Sequence, residues 1–176
     1  MVPAVANLKM SARIAIVGCG NPNRSDDGAG RCVIQLLQSR ASDWSSDDVE
    51  LFDAGTDGMA VMFAARGCSS LFVVDACRSG AEPGAIFEIP GSELEQNPRP
   101  SSNLHDFRWD NAIAAGRKIY RAAFPTDVVV FLVEARTLEL GLELSAEVNA
   151  ATVQVATRID VLVRERCALA REAEAS

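Results

Sequence analysis

Residues 17–30 read VGCGNPNRSDDGAG and follow an apolar run typical of a buried strand. Gly18 and Gly20 permit backbone torsions that other residues resist. Asp26 and Asp27 then arrive where a helical pattern begins, which is where an open α/β sheet usually binds its ligand. The stretch therefore predicts a strand, a tight turn and a helix, with two carboxylates placed to hold a ligand.

Five runs rich in Val, Ile, Leu or Phe are predicted strands, at residues 13–17, 50–53, 71–75, 85–89 and 127–133. Helical patterns separate most of them, at residues 29–40, 58–66, 110–124 and from 145 to about 169. This alternation predicts an α/β fold of three layers, in which helices cover both faces of a mostly parallel five-stranded sheet.

The connection between the third and fourth predicted strands breaks the alternation. Residues 78–84 are too few for a helical crossover. We therefore expect the fourth strand to run antiparallel to the third and to lie at an edge of the sheet.

Length and composition predict one domain. The chain has 176 residues, of which 48% are hydrophobic, enough for a full core. We assign that domain to residues 13–169, with a disordered segment at 1–12 and a frayed tail at 170–176.

Charge and apolar content exclude some partners and compartments. The net charge is −7 and the basic residues are scattered, so nucleic acid is a poor partner. No run approaches the roughly 20 apolar residues of a membrane span, and no signal peptide is recognisable. The five cysteines form no C-x-x-C pair and are expected to be free, mostly packed thiols. We expect a cytoplasmic protein.

Three separated residues are candidates for chemistry. Asp27 follows the first strand, Asp75 ends the third, and His105, the only histidine, lies in a long irregular stretch at residues 90–107. If strands one and three are neighbours, Asp27 and Asp75 meet at the ligand-binding edge, and the loop can bring His105 over them. Two carboxylates and an imidazole suit a divalent transition ion such as Zn²⁺ or Ni²⁺.

Each candidate also has a purely structural interpretation. Asp26 or Asp27 can cap the helix that follows, Asp75 can accept backbone hydrogen bonds in the turn before Gly80, and a lone histidine in a polar loop is commonly solvated.

The glycines suggest an alternative class, a non-proteolytic module that binds a ligand such as a dinucleotide. The fingerprint G-x-G-x-x-G fits only at Gly18 and Gly20, because Asn23 occupies the third position. Two carboxylates at the start of the helix would also repel a phosphate.

Three segments together resemble the [NiFe]-hydrogenase maturation endopeptidases. Residues 18–30 are similar to G-x-G-N-x-x-x-x-D-[DE]-G-x-G, residues 53–59 (DAGTDGM) to D-x-G-T-x-G-M, and residues 73–76 (VVDA) to an apolar strand that ends in D-A. The order and spacing of the segments agree, and the resemblance covers residues 13–159.

The resemblance implies an α/β sandwich and an enzyme that removes a C-terminal peptide from the precursor of the hydrogenase large subunit after nickel insertion. It implies that Asp27, Asp75 and His105 contact the metal and form the catalytic site. Asp53, Gly55 and Thr56 are implied to border the site and affect substrate binding, although Asp53 and Gly55 also suit a simple turn at a strand end. Nickel is expected to come with the precursor rather than to stay in the resting enzyme.

Overall fold

A computed structural model describes residues 13–40, 44, 48–94 and 108–175. Its strands are β1 (Ile14–Cys19), β2 (Val49–Gly55), β3 (Ser70–Cys77), β4 (Ile86–Pro90) and β5 (Asp127–Glu134). Its α-helices are α1 (Ala29–Arg40), α2 (Gly58–Ala65), α3 (Gly91–Leu94), α4 (Trp109–Tyr120) and α5 (Ala146–Ala175). Short 3-10 helices precede α1 at Ser25–Gly28 and follow α4 at Arg121–Ala123. The predicted disorder of residues 1–12 falls outside the described residues.

The five strands form one sheet in the order β2-β1-β3-β5-β4. Four strands are parallel, and β4 is an antiparallel edge strand. This confirms the predicted fold class, and it meets the condition under which Asp27 and Asp75 share an edge, namely that the first and third strands are neighbours. β4 pairs with β5 rather than with β3, because β5 takes the free edge of β3 along the whole length of that strand.

Helices cover the sheet on both sides. Side chains alternate along each strand, so Ile14, Ile16 and Phe72 pack with α1 and α5 on one face. Ala15 and Val17 lie with α2 and α4 on the other face. β1 is buried throughout and β3 nearly so, as expected for central parallel strands covered on both sides.

The backbone of β1 lies directly against the start of α1. A Cβ on Gly18 would come within 2.4 Å of the Gly30 carbonyl oxygen, and a Cβ on Gly30 within 2.3 Å of the Cys19 carbonyl oxygen. Because only glycine fits at both positions, these two glycines serve the packing of strand against helix.

Most element ends differ from the sequence prediction by a few residues, and the larger differences concern the end of α5 and the stretch after β4. α5 continues to Ala175, beyond the predicted end near Leu169, because residues 170–175 are Ala, Arg and Glu, all strong helix formers. The stretch predicted as irregular from residue 90 begins with α3, and its remaining part, residues 95–107 with His105, falls outside the described residues.

Candidate functional site

Asp27 lies in the 3-10 helix between β1 and α1 and is half-buried. Its Oδ2 accepts a hydrogen bond of 2.9 Å from the backbone N–H of Asn21. The carboxylate therefore closes the turn after β1, and it does not cap α1 as one interpretation of the sequence proposed.

Asp75 lies near the carboxyl end of β3, and its side chain is only 5% exposed. Its Oδ1 accepts a hydrogen bond from the Ala76 N–H at 2.9 Å. Its Oδ2 accepts two more, from Arg108 Nη2 at 2.8 Å and from Trp109 Nε1 at 2.9 Å. All these partners orient the carboxylate, and none of them belongs to the turn before Gly80.

Burial is the main influence on the charge of Asp75. It raises the pKa of this carboxyl, and the Arg108 guanidinium and the two side-chain hydrogen bonds oppose that effect. The negative charge of Asp27 raises the Asp75 pKa further, so the two carboxylates lie within electrostatic reach of each other.

Gly20 lies between the two carboxylate-bearing segments. A Cβ at this position would come within 1.9 Å of the Asp27 carbonyl oxygen and 3.5 Å of Asp75 Oδ1. The structure therefore brings Asp27 and Asp75 together at the carboxyl edge of β1 and β3, the place predicted from the sequence.

His105 falls outside the described residues. Arg108, the first described residue after it, binds Asp75 through its guanidinium. Within the described ranges, no group of three or more His, Cys, Asp or Glu side chains is arranged to hold a metal ion.

The segment after β2 borders the same edge. The Gly20 N–H donates to the Gly55 carbonyl at 2.8 Å, which places Gly55 beside the turn that carries Asp27. Asp53 Oδ1 accepts a hydrogen bond from the Gly55 N–H at 3.2 Å and so forms the predicted turn. Asp53 and Thr56 are exposed, and Arg31 Nε lies 3.6 Å from Asp53 Oδ2.

Sequence reasoning missed the role of Asp26. This side chain is fully buried and accepts hydrogen bonds from the backbone N–H groups of Arg136, Thr137 and Ser145 and from the Ser145 hydroxyl. It therefore joins the turn before α1 to the loop between β5 and α5. Nothing local in the sequence indicates these partners, which lie more than a hundred positions away.

Glu134, which the sequence did not single out, holds the turn after β3. It is buried and accepts hydrogen bonds from the N–H groups of Ser79 and Gly80, the Ser79 hydroxyl and the Cys77 thiol. Burial raises its pKa, but these donors outweigh burial and lower the pKa to about 2. Glu134 thus takes the turn-forming role that one interpretation gave to Asp75.

All five cysteines lie in the described part of the chain and are free. Burial raises the pKa of the Cys19 thiol, and burial with the Glu134 hydrogen bond raises that of Cys77 to about 12. Both are therefore protonated at neutral pH, which makes them poor nucleophiles. None of the described helices is both long enough and apolar enough to cross a membrane.

The profile of the hydrogenase maturation protease family matches residues 32–160. The coenzyme F420 hydrogenase subunit delta of Methanothermobacter thermautotrophicus is 31% identical over 140 residues, which cover 74% of this chain and 83% of that protein. The hydrogenase expression/formation protein HupM of Azotobacter chroococcum is 28% identical over 133 residues, which cover 73% of this chain and 60% of that protein.

Solved structures show the same fold. The hydrogenase maturating endopeptidase HybD from Escherichia coli has a TM-score of 0.73 at 23% identity, with 87% of this chain and 93% of that chain covered. The [NiFe] hydrogenase maturation protease HybD from Thermococcus kodakarensis has a TM-score of 0.70 at 20% identity, with 86% of this chain and 99% of that chain covered.

The three-layer fold with carboxylates at its sheet edge is thus that of a maturation hydrolase. The chain belongs to the hydrogenase maturation protease family.

Proposed function

We propose that this enzyme removes the C-terminal propeptide of a [NiFe]-hydrogenase large-subunit precursor after nickel has been inserted. The observation that carries the proposal is that the segments of Asp27 and Asp75 approach each other at Gly20, with the two charges within electrostatic reach, at the edge where parallel sheets bind ligands. The family match supports the class of substrate, because its members are named for hydrogenase maturation.

Nickel is the proposed recognition element and arrives as part of the substrate. Asp27, Asp75 and His105 are proposed to contact the ion that the precursor already holds, and to form the catalytic site around it. Carboxylate and imidazole groups are suitable ligands for a divalent transition ion. The enzyme at rest would hold no nickel of its own.

The surroundings of Asp75 are consistent with binding a cation. In the resting structure the positive charge beside this buried carboxylate is that of Arg108, whose side chain is 64% exposed. An exposed guanidinium can withdraw into solvent when a divalent ion approaches, whereas the Trp109 N–H keeps the carboxylate oriented. The enzyme would thereby distinguish nickel-loaded precursor from nickel-free precursor.

Asp53, Gly55 and Thr56 are proposed to contact the precursor polypeptide beside the metal. Asp53 and Thr56 are exposed next to the turn that carries Asp27. We place the reaction in the cytoplasm, since five free thiols suit a reducing compartment.

The alternative, a non-proteolytic module that binds a ligand such as a dinucleotide, has less support. Gly18 and Gly30 pack strand against helix, and the neighbouring carboxylates are unfavourable for a pyrophosphate. Saturable binding of NAD by the purified protein would favour that alternative.

The decisive experiment incubates the purified protein with nickel-loaded and nickel-free precursor and measures the mass of each product. Loss of a C-terminal peptide from the nickel-loaded form alone is the expected result. Equal cleavage of both forms would contradict recognition through nickel, and cleavage of neither would contradict the proposed activity. Casein serves as a control, because general proteolysis would indicate a broader peptidase.

A further inference from the structure

A groove lies beside the turn that carries Asp27. Its cavity volume is about 570 Å³, which is within the range of roughly 300–1,000 Å³ typical of ligand sites. One wall comes from Pro22 and Gly28 in the turn, and another from Leu142 and Leu144 in the loop between β5 and α5. The first two turns of α1 contribute Arg31, Cys32 and Gln35 to the lining, and the first turn of α5 contributes Asn149.

Hydrogen bonds hold the two walls in a fixed relation. Ser25 donates its N–H to the Gly141 carbonyl at 2.8 Å, and Gly141 donates its own N–H to the Asn23 carbonyl at 3.0 Å. The buried Asp26 carboxylate adds four hydrogen bonds to the same loop and the start of α5. The groove is therefore preformed, which lowers the entropic cost of binding.

Leu142 is 80% exposed at the rim of this groove. Leu140, on the same loop, is 87% exposed. The hydrogen-bonded loop leaves two large apolar side chains exposed to water. Their burial by a partner would be favourable, and such residues commonly mark interaction sites.

Two residues of the groove lie next to the candidate site. Gly28, in one wall, follows Asp27 directly. Arg31, in the lining, lies 3.6 Å from Asp53, a residue proposed to contact the precursor. A polypeptide that reaches the carboxylate pair can therefore extend into the groove.

We propose that this groove binds an extended segment of the hydrogenase precursor, with Leu142 as the main apolar contact and the polar side chains of the lining available to its backbone. The inference rests on the proposed function for the identity of the partner. Because the groove contacts polypeptide and not nickel, it contributes equally to the binding of nickel-loaded and nickel-free precursor.

The test compares Leu142→Glu with Leu169→Glu, a matched change at a leucine that is 63% exposed on the distant end of α5. Direct binding and processing are both measured, with nickel-loaded and nickel-free precursor. Leu142→Glu is expected to weaken binding of both forms about 10-fold, and to raise KM by a similar factor with kcat unchanged. Leu169→Glu is expected to match the wild type.

The outcomes separate this inference from the proposed function. If the wild type binds precursor without cleaving it, the proposed function fails, and a weaker binding of Leu142→Glu still supports the groove. Unchanged binding by Leu142→Glu, an equal loss in Leu169→Glu, or no binding by the wild type would each overturn the groove proposal. A loss restricted to nickel-loaded precursor would also overturn it.

Discussion

Gly20 lies so close to Asp27 that a Cβ at position 20 would come within 1.9 Å of the Asp27 carbonyl oxygen. Gly20 also has a φ of +113°, which L side chains rarely adopt. The same glycine faces Asp75 Oδ1, so its lack of a side chain allows the two carboxylate segments to meet.

Substitution of Gly20 by alanine should therefore displace Asp27 and impair processing. A shift of about 1 Å in a reacting group costs on the order of 100-fold in rate. Gly67→Ala is the matched control, because Gly67 also has a positive φ but no atom within 4 Å of the added Cβ. Gly67→Ala should cost about 1–2 kcal/mol of stability and leave the processing rate unchanged. Equal rates for the two variants would contradict this role of Gly20.

Removal of any proposed nickel contact should stop processing. Asp27→Asn, Asp75→Asn and His105→Ala are each expected to lower the rate by more than about 100-fold, the upper range for changes around a metal site. Circular dichroism should show a retained fold, since the two amides are isosteric with the carboxylates that they replace, and the same measurement checks His105→Ala. Normal processing by Asp75→Asn and His105→Ala would refute the assigned site.

The Trp109 N–H should be needed to orient Asp75. Trp109→Phe keeps an aromatic ring in the core but removes the hydrogen bond to Oδ2, so processing should fall about 10-fold. The control is Trp44→Phe, because Trp44 also donates its Nε1–H to an aspartate, Asp160, at 2.8 Å. Only Trp109→Phe should affect the rate with nickel-loaded precursor, and similar rates for the two variants would show that orientation of Asp75 is unimportant.

Asp26 should contribute strongly to the stability of the folded protein. Asp26→Ala leaves four donors without their buried acceptor, and we expect a loss of about 3 kcal/mol or more in the free energy of unfolding. Asp57→Ala removes a single bond to the Met59 N–H at the start of α2 and should cost only about 1 kcal/mol. Urea denaturation measures both, and comparable losses would contradict the special position of Asp26.

Glu134 should make the free energy of unfolding depend on pH in the acid range. Its pKa is about 2 in the folded protein against an ordinary value of 4.5. Because the folded pKa is the lower one, the group stabilises the fold above pH 4.5, and this contribution is lost as the pH falls toward 2.

Melting temperatures of the wild type and Glu134→Gln across this pH range test the prediction. The variant should be less stable at neutral pH by about 2–3 kcal/mol, because an amide presents donors to groups that are themselves donors. The difference should shrink between pH 5 and pH 2. A difference that stays constant with pH would show that Glu134 does not titrate with folding.

Local sequence pattern was sufficient for most of the fold. Alternating strand and helix signals predicted the mostly parallel sheet, and the short connection after the third strand predicted the antiparallel direction of β4. The local pattern could not predict that β5 separates β3 from β4, because strand order depends on pairing between distant segments. The neighbouring positions of Asp27 and Asp75 were predictable only on the condition that the first and third strands are adjacent, since parallel strands end at a common edge.

The partners of the carboxylates depended on long-range packing. Asp26 and Asp27 are adjacent in sequence, yet Asp26 accepts from Ser145, 119 positions away, while Asp27 accepts from Asn21 in the turn after β1. Likewise, Glu134 rather than Asp75 holds the turn before Gly80, because β3 and β5 pair Cys77 with Glu134. The periodicity of apolar residues in the sequence indicates which residues share a face of one helix or strand. Which donors a buried carboxylate meets is set by how the elements pack in three dimensions.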